Sequence, residues 1–463
     1  MKYLLSLLLL VVGVATADVP LPDTPAGKIF AEYLVAFNSG DLNQLKRFYV
    51  DLGWDNGVSD RVQRHVEISG GMTLLRVEQS EPLKILVLLQ EKETLQPIQA
   101  ELVATGDSPP RIEKIYVKRT ELPPDLAPAR LPKKEALRAF SAWVDQRTKE
   151  DRFSGVVLIA RGDQVLLQRA WGKSNRETGA DNTVETQFRL GSQNKMFTSI
   201  AVLQLVEAGK LALNEPIGKH MPDYPNKDVA SKVTVHHLLT HSGGTGDIFG
   251  PQFDANRLSL KEHSDYLKLY GARPPEFEPG SQDRYSNYGF VLLGALIEKV
   301  TGQSYDDYVR TRIFEPAGMR STGALPENEN VPRRSAGYMK ENGKWVPNTN
   351  TLPYRGTSAG GGYSTASDML RFVRALQSGK LISKKMLTLA TSPQDHAGGY
   401  GYGFGLHGSG ATRNFGHGGG APGMNTELLI FPELGYVLIA MCNIDPMAAR
   451  TVVDYYAARM PID

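Results

Sequence analysis

Ser192 and Lys195 are the two residues whose types and spacing point most directly to chemistry. They stand in Gly191-Ser-Gln-Asn-Lys195, between Thr186–Leu190, which reads as a short extended approach, and a run with helical periodicity. Beyond Met196, the residues Phe197, Ile200, Ala201, Leu203 and Leu205 recur at helical spacing, and Gly209 suits the position just past a helix end. Ser192 is therefore expected at the head of a helix, with Lys195 one turn along and on the same face. A serine hydroxyl is a weak nucleophile without a base beside it, and a lysine acts as that base only when burial or neighbouring cations depress its pKa. The helix head also offers backbone N–H groups and positive potential to a developing oxyanion. Ser-x-x-Lys occurs in capped surface helices too. Here, however, the next charge after Lys195 is Glu207, which predicts a buried central helix carrying a lysine at its head.

Two further stretches bear on this pair. Tyr285-Ser-Asn287 follows the turn Glu278-Pro-Gly280 and precedes an expected helix from Gly289 to Thr301. A tyrosine hydroxyl near the serine and lysine could pass a proton to a leaving group, and an asparagine could hold a substrate amide. His417-Gly-Gly-Gly420 is expected ahead of the last pair of strands. Its glycines let backbone approach a substrate closely and offer an N–H as a second oxyanion donor. Taken singly, each stretch also has a plain structural reading: a loop aromatic, a glycine turn, a strand-edge histidine.

Together and in this order, the three stretches resemble the serine β-lactamase and penicillin-binding-protein superfamily. The likeness is strongest to the class C β-lactamase branch, with its esterases, D-aminopeptidases and DD-peptidases, and it extends over residues 133–460. Leu238-Leu-Thr-His-Ser-Gly-Gly244 and Ala359-Gly-Gly-Gly-Tyr-Ser-Thr-Ala-Ser-Asp368 look like structural stretches of the same branch. The resemblance implies that Ser192 is the acylated nucleophile, Lys195 its base partner and Tyr285 the second proton-transfer group. It also implies that Asn287 binds a substrate amide, and that the N–H groups of Ser192 and Gly420 form the oxyanion hole beside His417, Gly418 and Gly419. No cofactor is implied. His417 departs from the family pattern, because it stands where β-lactamases carry the lysine of Lys-Thr-Gly, and Gly418 lacks the hydroxyl of the threonine. Histidine, with a pKa near 6.5, anchors a carboxylate less firmly than lysine. Small esters and D-amino-acid or peptide amides are thus expected ahead of β-lactams. The alternatives are a true β-lactamase or DD-carboxypeptidase, and a non-catalytic binding protein of penicillin-binding shape.

Two look-alike motifs are set aside. Gly356-Thr-Ser358-Ala-Gly360 fits a nucleophile elbow, with Asp368 and His417 following in the order that fold requires. Pro353 before it and Gly361-Gly362 after it predict a flexible loop, not the strand and helix an elbow needs. His407-Gly-Ser-Gly410 is a second His-x-Gly, read as a hairpin end after Tyr402–Leu406. His236, His237 and His241 have no carboxylate or cysteine partners at metal spacing, so no metal site is expected.

The elements that must position these residues come from the rest of the 463-residue chain, whose net charge of +2 gives no sign of a nucleic-acid partner. Met1–Ala17 has a lysine start, an apolar run and an Ala-Thr-Ala cleavage site, and reads as a secretory signal peptide, hence a periplasmic or secreted product. No later stretch is apolar enough to span a bilayer, and Cys442, the single cysteine, is expected to be buried. Residues 18–120 read as an α+β domain: helices around Ile29–Phe37 and Leu45–Tyr49, then strands Met72–Val77, Leu83–Leu89, Ile98–Thr105 and Ile112–Lys118. That order resembles the cone-shaped nuclear-transport-factor-2-like family and implies an accessory or dimerising module, through which copies of the chain could associate. A proline-rich linker at 121–132 is expected to run extended, and residues 133–463 to form the β-lactamase-like domain. Strands at both ends of that domain and helices between them predict one antiparallel sheet flanked by helices, plus an all-helical subdomain.

Overall fold

The computed structural model describes residues 19–54, 58–341 and 343–462; the signal peptide read in Met1–Ala17 lies outside the described residues. The chain divides into two compact units between Ala127 and Pro128, within the proline-rich segment. That segment is not extended throughout, because Pro123 accepts backbone hydrogen bonds from Leu126 and Ala127 and so closes a turn.

In the first unit, helices Pro25–Asn38, Leu42–Asp51 and Asp60–Ser69 precede an antiparallel meander of Met72–Ser80, Lys84–Glu91, Pro97–Ala104 and Ile112–Arg119. Thr24 and Asp41 cap the first two helices with their side-chain oxygens. Strand Pro97–Ala104 alternates strictly, turning Ile98, Ala100, Leu102 and Ala104 into a core shared with Phe30, Tyr33, Phe37 and Phe48. The third helix was not foreseen from the sequence. Val62, Val66 and Ile68 are its only aliphatic residues, and the cap at Ser59 is its main local signal.

The second unit is built on a six-stranded antiparallel sheet. Its order is Gly405–His407, Asn414–Ala421, Met424–Phe431, Tyr436–Cys442, Gly155–Arg161 and Gln164–Trp171. The expected meeting of first and last strands is present, with Tyr436–Cys442 paired to Gly155–Arg161 over its full length. Three central strands are buried at almost every position, because both faces are covered. Val156, Leu158, Leu428, Ile430, Ile439 and Met441 face the helical region, whereas Val157, Ile159, Leu429, Leu438 and Cys442 face helices Lys133–Lys149 and Ala448–Ala457. Each such side chain contributes about 1.5–3 kcal/mol on leaving water. On the outer layer, Trp143 stacks on Tyr455 at 3.9 Å between centroids.

The helical region inserts between the strands at the two ends of the sheet. Helix Asn194–Glu207 is buried on all sides from Asn194 to Leu203 and ends as expected, with Gly209 at φ +65°. Helix Asn287–Thr301 packs against it, starting from Ser286, whose hydroxyl accepts from the Gly289 N–H. His417–Gly420 stands ahead of the last two strands, as expected, and is itself part of strand Asn414–Ala421, paired on one side with Gly405–His407 and on the other with Met424–Phe431. Glycine is a poor strand former on its own, and this strand is held by the neighbour on each side. Among the described residues no helix is long and apolar enough to cross a membrane.

Candidate active site

Ser192 sits in a single 3₁₀ turn, Gly191–Gln193, that leads directly into helix Asn194–Glu207. One turn on, Lys195 is fully buried and directs Nζ at three oxygens: Ser192 Oγ at 3.2 Å, Asn287 Oδ1 at 2.7 Å and the Ala359 carbonyl. Burial draws the lysine pKa down from 10.5 to about 7, against a smaller opposing pull from the Asp247 carboxylate. The geometry selects a lone-pair direction. A neutral amine keeps two N–H bonds, Asn287 and Ala359 offer acceptors for both, and the lone pair is left facing Ser192. That arrangement can remove a proton from the serine.

Tyr285 lies across the same lysine, with Nζ 4.8 Å from its ring centre. The residue is 45% exposed, yet its hydroxyl end is buried and hydrogen-bonded to Ser192. Burial raises its pKa above the usual tyrosine value, and the bond to Ser192 draws it part of the way back. The hydroxyl is therefore protonated at neutral pH and able to donate.

Asn287 has both polar atoms of its side chain engaged. Its Oδ1 accepts from Lys195, and its Nδ2 donates to Asp247 Oδ1 and Oδ2 at 3.0 and 3.1 Å. The side chain thereby links Lys195 to a carboxylate instead of presenting an open amide, and a substrate amide would have to displace one of those contacts. Asp247 was not singled out in the sequence. It comes from the loop after Leu238–Gly244, and that loop is held by Arg273, which donates to the carbonyls of Thr245 and Asp247.

The glycine strand reaches the nucleophile through contacts that no side chain could occupy. A Cβ on Gly419 would fall 1.9 Å from the Leu190 carbonyl oxygen, and one on Gly191 would lie 3.0 Å from Gly420 N. Gly191 itself is at φ +54°, where a side chain is strained. Thr426 Oγ1 donates to the Leu190 carbonyl at 2.8 Å, and Gln193 Nε2 donates to the His417 carbonyl at 3.1 Å, lacing strand and turn together. The backbone nitrogen of Gly420 is so brought to the Ser192 turn.

His417 points its ring to the same side. Nδ1 contacts the Gly418 carbonyl at 2.6 Å and Nε2 contacts the Tyr400 hydroxyl at 3.0 Å. A carbonyl can only accept, so Nδ1 carries the proton and Nε2 accepts from Tyr400. Burial and then the nearby Lys195 lower the His417 pKa to about 4, which leaves the ring neutral. No fixed cation replaces the missing lysine at this position. His241 closes the site from behind, stacked 4.3 Å from the Tyr285 ring and accepting from the Ser286 N–H at Nδ1. Burial, Lys195 and His417 keep it uncharged as well.

Neither set-aside motif brings its serine or histidine side chain to Lys195, although the loop Gly356–Gly360 supplies the Ala359 carbonyl. Ser358 is fully buried in a tightly bonded loop, where a flexible one was expected, and Asp368 is spent on Ser321 N, Thr322 Oγ1 and Arg371. His407 ends strand Gly405–His407, paired with Asn414. Among the described residues no group of three or more His, Cys, Asp and Glu side chains could hold a metal ion.

Comparison with known proteins gives the family. Residues 140–459 match the Beta-lactamase family. The esterase EstB of Burkholderia gladioli is 36% identical over 212 residues, covering 42% of this chain and 53% of the esterase. A penicillin-binding protein structure from Bacillus halodurans superimposes with TM-score 0.62 at 30% identity, over 67% of this chain and 99% of that one. A D-stereospecific amidohydrolase structure from a Streptomyces species does so with TM-score 0.55 at 27% identity, over 65% and 92%. With the family matched across nearly the whole second unit, the chain belongs to the Beta-lactamase family and to its serine hydrolases.

Proposed function

We propose that the protein is an exported hydrolase that works through an acyl-enzyme on small esters or on D-amino-acid and peptide amides. Ser192 attacks the carbonyl, and Lys195 takes its proton. The N–H groups of Ser192 and Gly420 hold the oxyanion, and Tyr285, next to both Ser192 and Lys195, returns a proton to the leaving group. Water then repeats the sequence on the acyl-serine. The observation that carries this reading is Lys195 Nζ, fully buried, 3.2 Å from Ser192 Oγ, with two other acceptors fixing its remaining N–H bonds. A merely structural lysine needs no such aim at a serine, which speaks against the non-catalytic alternative.

Esters and D-amides are favoured over β-lactams because His417 is neutral and bonded to Tyr400 where a carboxylate-binding lysine would stand. The identity to EstB and to the D-stereospecific amidohydrolase supports the same side. DD-carboxypeptidase activity is the second reading, favoured by 32% identity over 205 residues to an Escherichia coli protein named as a D-alanyl-D-alanine carboxypeptidase. Three helices beside a four-stranded meander support the first unit as a nuclear-transport-factor-2-like accessory or dimerising module, with 121–132 as the linker. Export rests on the composition of Met1–Ala17. The test is a panel of p-nitrophenyl esters, D-amino-acid amides and nitrocefin offered to the purified full chain, with mass spectrometry of the trapped acyl-enzyme. Turnover of the first two classes with an adduct on Ser192 is expected.

A further inference from the structure

The chain contains a second serine with triad-like surroundings. Ser358 Oγ lies 2.8 Å from His263 Nε2, and His263 Nδ1 lies 2.9 Å from Glu298 Oε1. The three residues come from the loop Thr357–Gly360, the start of helix His263–Tyr270 and helix Asn287–Thr301. Gly294 makes the meeting feasible, since a Cβ there would fall 2.3 Å from Ser358 Oγ and 2.4 Å from His263 Nε2. Distances alone would pass for a nucleophile, a base and an orienting carboxylate. Access would not: Ser358 is 0% exposed, and its hydroxyl also faces the Phe290 carbonyl at 2.8 Å.

The loop that carries Ser358 is also the loop that supports the Ser192 turn. Ala359 supplies the carbonyl that accepts from Lys195, Thr357 the carbonyl that accepts from Asn194 Nδ2, and Ser358 the carbonyl that accepts from Thr198 Oγ1 at 2.7 Å. Gly361 N donates to the Gly191 carbonyl at 3.2 Å. These contacts face helix Asn194–Glu207 and its leading turn, and the Ser358 side chain anchors the loop on its other side. We infer that Ser358, His263 and Glu298 form a positioning array, buried at Ser358 and His263 and partly exposed at Glu298, that fixes the Ala359 carbonyl and, through it, the lone pair of Lys195 toward Ser192. This deepens the proposed serine–lysine mechanism and rests on it.

The charged and titratable groups around the array are Lys299, Tyr305 and Asp306, with Glu262 and Arg355 beside Asp306; those around Lys195 are Asp247, Tyr285, His241 and His417. A carbonyl acceptor favours the ammonium form, so loosening Ala359 lowers the Lys195 pKa while it frees the amine to turn away.

The experiment uses full-length Ser358→Ala and His263→Gln, singly and together, with circular dichroism confirming the fold. Expected are a fall in kcat of about tenfold with KM little changed, and an acid limb of the pH–rate profile moved to lower pH. The double variant should be scarcely worse than either single one, because the residues act as one unit. A fluorophosphonate probe should still modify Ser192 in each variant. Folded variants with wild-type kcat and an unmoved acid limb would overturn the proposal, as would a wild-type adduct on Ser358. Should Ser358→Ala or His263→Gln not fold, Glu298→Gln keeps the acceptor for His263 and removes only the charge, and the same two readouts decide. Loss of the Ser192 adduct from the wild type would instead overturn the serine–lysine mechanism itself.

Discussion

Asn287 joins Lys195 to Asp247: its carbonyl oxygen is 2.7 Å from the amine and its amide nitrogen about equally close to both carboxylate oxygens. A residue in that role orients a base; one that binds a substrate amide sets affinity. Asn287→Leu should therefore lower kcat by about 10²-fold while KM changes by less than about threefold. A rise in KM with kcat preserved would restore the substrate-binding role that the sequence implied.

The pH dependence follows from the same lysine. Lys195 is a base only when neutral, and its pKa is drawn to about 7. kcat/KM for a small ester should thus rise through neutral pH and level off well below lysine's ordinary value of about 10.4. Asp247→Asn removes a charge that favours the ammonium form, so the acid limb should move to lower pH. Tyr285 is coupled to the amine, and the measured midpoint belongs to the pair. A profile that climbs steadily to pH 10 contradicts an activated lysine.

The lysine also leaves a mark on stability. Its folded pKa is depressed, so between about pH 7 and 10 the unfolded chain binds a proton that the folded chain does not, and stability must rise with pH across that window. Other groups titrate there too, and Lys195→Met provides the reference. Urea unfolding of both proteins should show wild type gaining on the variant by a few kcal/mol as pH rises. A constant gap would mean that the lysine titrates normally.

Gly419 tests the approach of strand to nucleophile. A Cβ would meet the Leu190 oxygen at 1.9 Å, and that oxygen is held by Thr426. Gly419→Ala should cost about 1–3 kcal/mol of stability from overpacking, and about 10²-fold in kcat as Gly420 N is pushed off the oxyanion position. Wild-type turnover in this variant would remove the glycine strand from the site.

Substrate preference turns on His417. A short ester should exceed nitrocefin in kcat/KM by about ten- to a hundredfold, the usual worth of one charge-assisted contact of about 1.5–3 kcal/mol. His417→Lys should narrow that ratio in favour of the β-lactam. It should also move the ester acid limb to lower pH, since a second cation beside Lys195 disfavours its charged form. Nitrocefin turned over as well as p-nitrophenyl acetate by the unmodified protein would make it a β-lactamase.

Ser192 and Lys195 were legible because their relationship is local: they lie three positions apart across one helical turn, followed by eleven residues without charge. The sheet was legible in outline because runs such as Tyr436–Cys442 are apolar at both faces and must be covered. Asp247, Tyr400, Ala359 and His263 were not, because each acts through a partner that only the tertiary fold brings near. The Lys195–Ala359 contact spans 164 positions and His263–Ser358 spans 95. His417–Gly420 was legible as a motif but not as a strand, since glycine carries no strand signal of its own and the ladder comes from its two neighbours. Asn287 was legible as a residue of the site, but its bond to Asp247 was not, because that partner lies 40 positions away in another loop.

The most direct test of the central claim is the site of covalent capture. Full-length protein treated with a fluorophosphonate, digested and read by tandem mass spectrometry should carry one adduct, on Ser192. Folded Ser192→Ala should carry none and lose at least about 10³-fold in ester turnover. An adduct on another serine, or turnover that survives in folded Ser192→Ala, would contradict Ser192 as the nucleophile.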